Sequence, residues 1–225
     1  MQTHDNITNT AGNAPGHTIV VIGRQFGSGG RRIGKLVADR MQCPYYDKEL
    51  LAKTAESMGY AREIFDAHDE KKPSPFRALL QGVYGIADNF HDTSMSAERL
   101  YKDQSEIIKQ LGQQGSCVIV GRTADYVMRH HPGLVSIFLH APLEVRARNI
   151  VSRGESLTEA QATDIANRHD RDRESYYNYY TGRDNWGKAH NYHLCIDSSS
   201  LPDSEIADII IDYAKRKIKR QYPQN

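Results

Sequence analysis

The chain has 225 residues, 39% hydrophobic and 25% charged, with a formal net charge of +1. This suits one α/β domain of ordinary size, and the near-zero charge excludes a bulk electrostatic case for nucleic acid or a membrane surface. No run reaches the roughly 18 apolar residues of a membrane helix, no basic-then-apolar leader opens the chain, and Cys43, Cys117 and Cys195 are far apart. They read as small buried residues, so the expectation is a cytoplasmic protein with neither membrane nor nucleic acid as partner.

Residues 1–16 are polar and read as a disordered tail before a single domain at 17–221. Thr18–Ile22 is apolar and β-branched, a buried strand. Gly23–Gly30 is a glycine-rich turn, and Ile33, Leu36, Val37 and Met41 then recur at helical spacing. Strand, glycine loop and helix form a phosphate-binding unit, because a helix N-terminus presents unpaired N–H groups and glycines let the backbone curl around an anion. Against the P-loop pattern G-x-x-x-x-G-K-[ST], Gly27, Ser28 and Gly29 fit the loop's end. Gly30 stands at the lysine, Arg31 or Arg32 at the hydroxyl residue, and Arg24 at the first glycine. Arg31 and Arg32 are the candidates to supply the missing charge. The rival pattern is the dinucleotide fingerprint G-x-G-x-x-G, which Gly27 and Gly29 fit and Arg32 breaks, with Asp47 at the acidic position.

Cys43–Asp47 is a short second strand, and Asp47 caps a helix from Lys48 with Leu50, Leu51 and Met58 on one face. Residues 60–97, broken at Lys71-Lys72-Pro73-Ser74-Pro75, read as an inserted helical segment of the substrate-lid type, leaving a core of 17–59 and 98–221. Glu98–Gly112 is an amphipathic helix with Leu100, Ile107, Ile108 and Leu111 inward. Ser116–Val120 is a third strand ending in Gly121-Arg122, with a helix to about Arg129. Leu134–His140 is the fourth strand, and Pro142 opens the next helix. Thr158 and Gln161 form a capping box for a helix towards Tyr180. His193–Asp197 is the fifth strand, and Ser204–Arg220 the last helix, with Ile206, Ile209, Ile210 and Tyr213 inward.

Alternating strands and helices predict a three-layer αβα fold around a five-stranded parallel sheet, with ligands beyond the carboxyl ends of the strands. The glycine loop, Asp47, Arg122 and His140 all fall at those ends. Arg122 is a phosphate contact or a structural arginine. Arg153, Arg168, Arg171 and Arg173 fall in a region, about 150–183, that reads as an arginine-bearing lid; a self-compensating exposed helix face is the alternative. Among Tyr176, Tyr177, Tyr179 and Tyr180, half read as packing and one or two as base stackers. The histidines show no metal spacing, and His91, His169 and His190 read as surface residues.

The segments GRQFGSGGRRIGKLVA, CPYYDKELL, VIVGRTADYV, IFLHAPLEVRARNI, RHDRDRESYYNYYTG and NYHLCIDSS, in this order, resemble the cytidylate kinase-like family of P-loop nucleoside monophosphate kinase relatives. The resemblance spans roughly Ile19 to Ile211. It implies a phosphotransferase that uses ATP and Mg²⁺ with a CMP- or dCMP-like acceptor, acting as a monomer or homodimer with nucleotides as partners. By position it implies Gly27, Ser28, Gly29 and Gly30 around the ATP phosphates and Asp47 facing the pyrimidine nucleotide. It implies Arg122 on the monophosphate, Arg168 and Arg173 on the monophosphate or transferred phosphoryl, and Arg153 on the lid. The alternative on the same fold is a nucleotide-binding regulatory protein with little turnover.

Overall fold

The computed structural model describes residues 17–57, 93–153 and 156–221. The tail expected at 1–16 and nearly all of the insertion expected at 60–97 lie outside the described residues. The strands are β1 (Ile19–Arg24), β2 (Tyr45–Tyr46), β3 (Cys117–Val120), β4 (Leu134–His140) and β5 (Leu194–Asp197). The helices are α1 (Gly30–Met41), α2 (Lys48–Ser57), α3 (Thr93–Gln114), α4 (Ala124–Val127), α5 (Leu143–Val151), α6 (Glu159–Thr181) and α7 (Asp203–Gln221).

The five strands form one sheet in the order β2-β3-β1-β4-β5, with every pair parallel. Ile22 lies between Val120 of β3 and Ile137 of β4. Alternate residues of β1 feed opposite faces, as strand geometry requires. Val20 and Ile22 pack with Val118 and Val120 against Ile33 and Val37 of α1 and Ile206 and Ile210 of α7. Ile19 and Val21 pack with Ile119 against Leu51 of α2, Ile107, Ile108 and Leu111 of α3, and Met128 after α4. The helix after β1 therefore lies on one face, and the helix after the neighbouring β3 on the other. The crevice between the carboxyl ends of β1 and β3 is thus the topological switch point, where open α/β sheets bind ligands. The strand order also differs from the 3-2-1-4-5-6 order of the dinucleotide fold, which removes the dinucleotide reading.

The expected caps are present. Asp47 Oδ1 accepts from the backbone N–H of Glu49 at 3.0 Å and of Leu50 at 3.1 Å. The Thr158–Gln161 capping box is formed in both directions. Several expected faces need correction. Helix α3 starts at Thr93 rather than Glu98, because nothing in that stretch breaks a helix. Leu50 is 39% and Ile209 41% exposed. In α7 the buried stripe is Ile206, Ala207, Ile210, Ile211 and Ala214, which rotates Ile209 to the flank. Cys195 is exposed on edge strand β5, whereas Cys117 is buried in β3.

Two polar clusters tie the helices to this frame. Arg146 of α5 is buried; its Nη1 donates to Asp170 Oδ2 of α6 at 2.7 Å and to the Phe26 carbonyl at 3.2 Å, and its Nε donates to the Ala141 carbonyl at 3.0 Å. After β3, the Asp125 carboxylate accepts from the Tyr177 hydroxyl at 2.8 Å and from Asn191 Nδ2 at 3.4 Å. Burial nevertheless pushes its pKa up, against those hydrogen bonds.

Truncating Arg146 to alanine strands a buried carboxylate and frees the loop, so chemical denaturation should show a loss of about 3 kcal/mol. For Asp125 the sign follows from its raised folded pKa. Its contribution is full below the unfolded value of about 3.9 and is lost as pH rises through the folded value. Asp125→Asn has no such titration, so its stability relative to the parent should rise as pH increases from about 4, read from urea midpoints.

Candidate active site

The loop from Gln25 to Gly29 joins β1 to α1 and is held from below. Gly27 (φ 86°) and Gly29 (φ 82°) take left-handed conformations that other residues reach only at a cost. Phe26 N–H donates to Asp170 Oδ1 at 2.7 Å, and Asn149 Nδ2 donates to the Gly27 carbonyl at 3.0 Å. Gln25 Oε1 accepts from Ala141 N–H at 3.1 Å. The Ser28 hydroxyl donates to the carbonyls of Gln25 and Leu139, so it points into the fold. Gly29 is the N-cap of α1 and supplies no side chain to the first-turn N–H groups. This end of the helix offers its backbone and the positive end of its dipole to an anion.

The charge around the loop comes from Arg24 of β1, Arg122 after β3, Arg31 of α1 and Arg173 of α6. Arg24, the last residue of β1, is half-buried. Its stem crosses the start of α1, where a β-carbon added to Gly30 would lie 2.8 Å from Arg24 Cγ. Its guanidinium fills the space over Gly121, where an added β-carbon would overlap it. Burial, and then the nearby charges of Arg173, Arg122 and Arg31, pull the Arg24 pKa well below its ordinary value. Among the described residues no carboxylate forms an ion pair with Arg24 or Arg122. After β3, Gly121, Arg122 and Thr123 all have positive φ, at 84°, 64° and 53°. For the two non-glycine residues that is strain of about 1–2 kcal/mol each, a feature that concentrates at functional sites. Burial pulls the Arg122 pKa down, partly opposed by the neighbouring Tyr176 hydroxyl, which donates to Gln104 Oε1 at 3.0 Å.

The structure distributes the other expected residues unevenly. Arg31 reaches across to Glu49 at 3.1 Å and Asp47 at 3.8 Å. Arg32 binds Asp203 of α7 at 2.7 Å, and that contact raises its pKa. Both candidates for the missing lysine charge are therefore engaged by carboxylates. Asp47 is buried at the end of β2, capping α2, with the Tyr45 hydroxyl 3.4 Å away. Arg173 lies 3.6 Å from Asp170 and over the Phe26 ring, with Arg153 also over that ring at 5.7 Å. Arg168 and Arg171 are exposed on α6, forming no ion pair among the described residues. His169, expected at the surface, is half-buried and stacks on Phe26 at 4.2 Å; His91 lies outside the described residues. Tyr180 stacks on Tyr101 at 4.0 Å, beside Tyr176, and Tyr177 holds Asp125; Tyr179 is exposed. Among the described residues no group of three His, Cys, Asp or Glu converges on a metal position.

The loop, the arginines of β1 and β3, and helix α6 thus meet at the switch point. A model of the cytidylate kinase-like family matches residues 19–200. The chain belongs to the cytidylate kinase-like family. A cytidylate kinase from Sulfolobus acidocaldarius is 31% identical over 112 residues, covering 50% of this chain; the match spans 60% of that relative's length. Among solved structures, an uncharacterized protein from Eubacterium ventriosum superposes with a TM-score of 0.66 at 24% identity, over 88% of this chain and 99% of that one. A shikimate kinase from Bacteroides thetaiotaomicron gives 0.51 at 10% identity, over 90% and 98%. A gluconokinase from Sinorhizobium meliloti gives 0.50 at 17%, over 92% and 96%. These likenesses establish the kinase-type αβα fold.

Arg24 escaped the sequence reading because it occupied the place of a P-loop glycine. The signal for it was the pair of glycines, Gly30 and Gly121, that leave room for its side chain. Gly121→Ala should lower stability by about 1–2 kcal/mol through its left-handed φ and displace the Arg24 guanidinium, which thermal unfolding and a crystal structure of the variant would register.

Proposed function

We propose that this family member is an ATP-dependent phosphotransferase whose acceptor is a nucleoside monophosphate of the CMP or dCMP type, or a similar small phosphorylated molecule. The observation that carries the reading is the convergence of Arg31, Arg122 and Arg173 near Arg24, above the glycine loop at the β1–β3 switch point. Phosphoryl transfer asks little covalent chemistry of a protein. It asks for in-line positioning and for fixed positive charge around the transferred group.

Each element has a task in that scheme. The backbone N–H groups of Gly27, Ser28, Gly29 and Gly30 receive the donor phosphates. Arg122, held by its strained turn and by Tyr176, takes the acceptor phosphate, and Arg173 spans acceptor and transferred phosphoryl. Asp47, with Arg31 beside it, faces the acceptor's base. Arg153, Arg168 and Arg171 are the lid cations. The described residues offer Mg²⁺ no converging ligand set, since the Ser28 hydroxyl is turned into the fold and an arginine follows Gly30.

A second reading, a nucleotide-binding regulatory protein with little turnover, is favoured by one observation. The lysine and hydroxyl of the standard loop are replaced by Gly30 and Arg31 or Arg32.

A thermal-shift panel of ATP, CMP, dCMP, UMP and AMP, each with and without Mg²⁺, followed by coupled turnover, tests the two. A ligand at about 100 times its Kd should stabilise by about 2.7 kcal/mol. Shifts with ATP and one monophosphate, with turnover for that pair, support the phosphotransferase; a shift with ATP but no turnover with any acceptor supports the regulatory reading. Arg122→Ala should lower kcat/KM for the monophosphate about 10- to 100-fold while leaving the ATP shift in place.

A further inference from the structure

We infer that Arg24, reaching over Gly30 from the end of β1, does the work of the absent P-loop lysine by binding the terminal phosphate of the donor. This rests on the reading of the site as a phosphotransferase centre, and it names a residue that stands where the P-loop pattern has its first glycine.

The geometry supplies three arguments. The first is placement. In a standard loop the lysine side chain leaves the helix at the residue that is Gly30 here. In this chain the Arg24 stem occupies that ground, with Cγ, Cβ and Cδ at 2.8, 3.0 and 3.5 Å from the position of an added Gly30 β-carbon. A lysine at residue 30 and an arginine at residue 24 exclude each other. The cation has moved from the first residue of the helix to the last residue of the strand.

The second argument is elimination among the loop's own cations. Arg32 is engaged by Asp203, and Arg31 by Glu49 and Asp47. Arg24 has no carboxylate in ion-pair contact among the described residues, and its charged neighbours are Arg173, Arg122 and Arg31. A half-buried guanidinium surrounded by other guanidinium groups lacks the counter-charge that buried ions otherwise have. A bound polyphosphate supplies it.

The third argument is the room made for the group. Gly121, at the end of the adjacent strand, leaves the space that the Arg24 guanidinium fills, and the two strands are in register through Ile22 and Val120. The guanidinium thereby lies between the donor loop after β1 and the Arg122 turn after β3. That is the position from which one planar fork can hold a phosphoryl group passing from donor to acceptor.

The test compares Mg·ATP and inorganic tripolyphosphate binding by calorimetry in the full-length protein, with unfolding temperature measured without ligand. The variants are Arg24→Met, Arg24→Ala, Arg32→Ala and the double variant Arg24→Ala/Gly30→Lys. Arg24→Met keeps the packing of the stem and removes the charge. It should keep or raise the ligand-free unfolding temperature, since one of several neighbouring cations is gone, and weaken both ligands about 10- to 100-fold. Arg32→Ala should lower the unfolding temperature and leave both affinities within about threefold, as loss of an exposed ion pair would. The double variant should recover most of the binding that Arg24→Ala loses, because the cation is returned to the helix. Unchanged binding in Arg24→Met, or loss in Arg32→Ala alone, overturns the inference. So does a parent protein that binds neither ligand. If ATP and tripolyphosphate both bind through Arg24 while the coupled assay, run on the parent protein, turns over no acceptor, the inference stands and the phosphotransferase reading fails.

Discussion

The buried pair between Arg146 and Asp170 is the contact on which the site depends. Asp170 accepts from Arg146 and from the Phe26 N–H, and Arg146 donates in turn to the carbonyls of Phe26 and Ala141. One ion pair therefore fixes the glycine loop, the start of α5 and the middle of α6 together. A buried pair of this kind returns little net stability, because desolvation offsets most of its attraction. What it provides is a fixed distance. The loop cannot rise from the sheet, and α6 cannot slide, without stranding a charge. Phe26 extends the link, carrying His169 on one contact and the guanidinium groups of Arg153 and Arg173 on others.

Against that fixed floor, the turn after β3 is held under tension. Three consecutive residues with positive φ form the edge of the crevice, and two of them carry β-carbons. Thr123 gains a hydroxyl contact with Tyr101, and Arg122 gains Tyr176, so the tyrosine cluster between α3 and α6 offsets part of the strain. Of the tyrosines conspicuous in the sequence, Tyr176 lies beside Arg122, Tyr180 packs on Tyr101 next to it, and Tyr177 holds Asp125. Tyr101 and Tyr176 clamp a backbone geometry that aims a cation.

Much of the architecture was legible because its signals are local. Apolar, largely β-branched runs located β1, β3 and β4, and side-chain caps at Asp47 and Thr158 located two helix starts. What failed was the rotation of helices about their own axes. Leu50 and Leu51 are both apolar and adjacent, and only packing against Ile107 and Ile119 selects Leu51. Ile209 loses to Ile211 for the same reason. The site was legible as a set of strand ends and illegible as a set of partners. Nothing in the spacing connects Arg32 to Asp203, 171 residues away, or Phe26 to Asp170, 144 away. The motif frame also hid Arg24, since a pattern that reserves a position for glycine gives no reason to follow the side chain found there.

The formal charge of +1 conceals how that charge is arranged. Several guanidinium groups are gathered at one end of a single sheet, on the same side as the positive end of α1. The molecule is close to neutral in sum, yet Arg24, Arg31, Arg122 and Arg173 share one end of the sheet. A cleft of one sign within low-dielectric walls concentrates field lines and draws anions from beyond contact range. On the proposed function, capture of a polyphosphate would begin as an oriented encounter, before any hydrogen bond forms. Its rate responds to ionic strength over the Debye length, about 8 Å under physiological conditions.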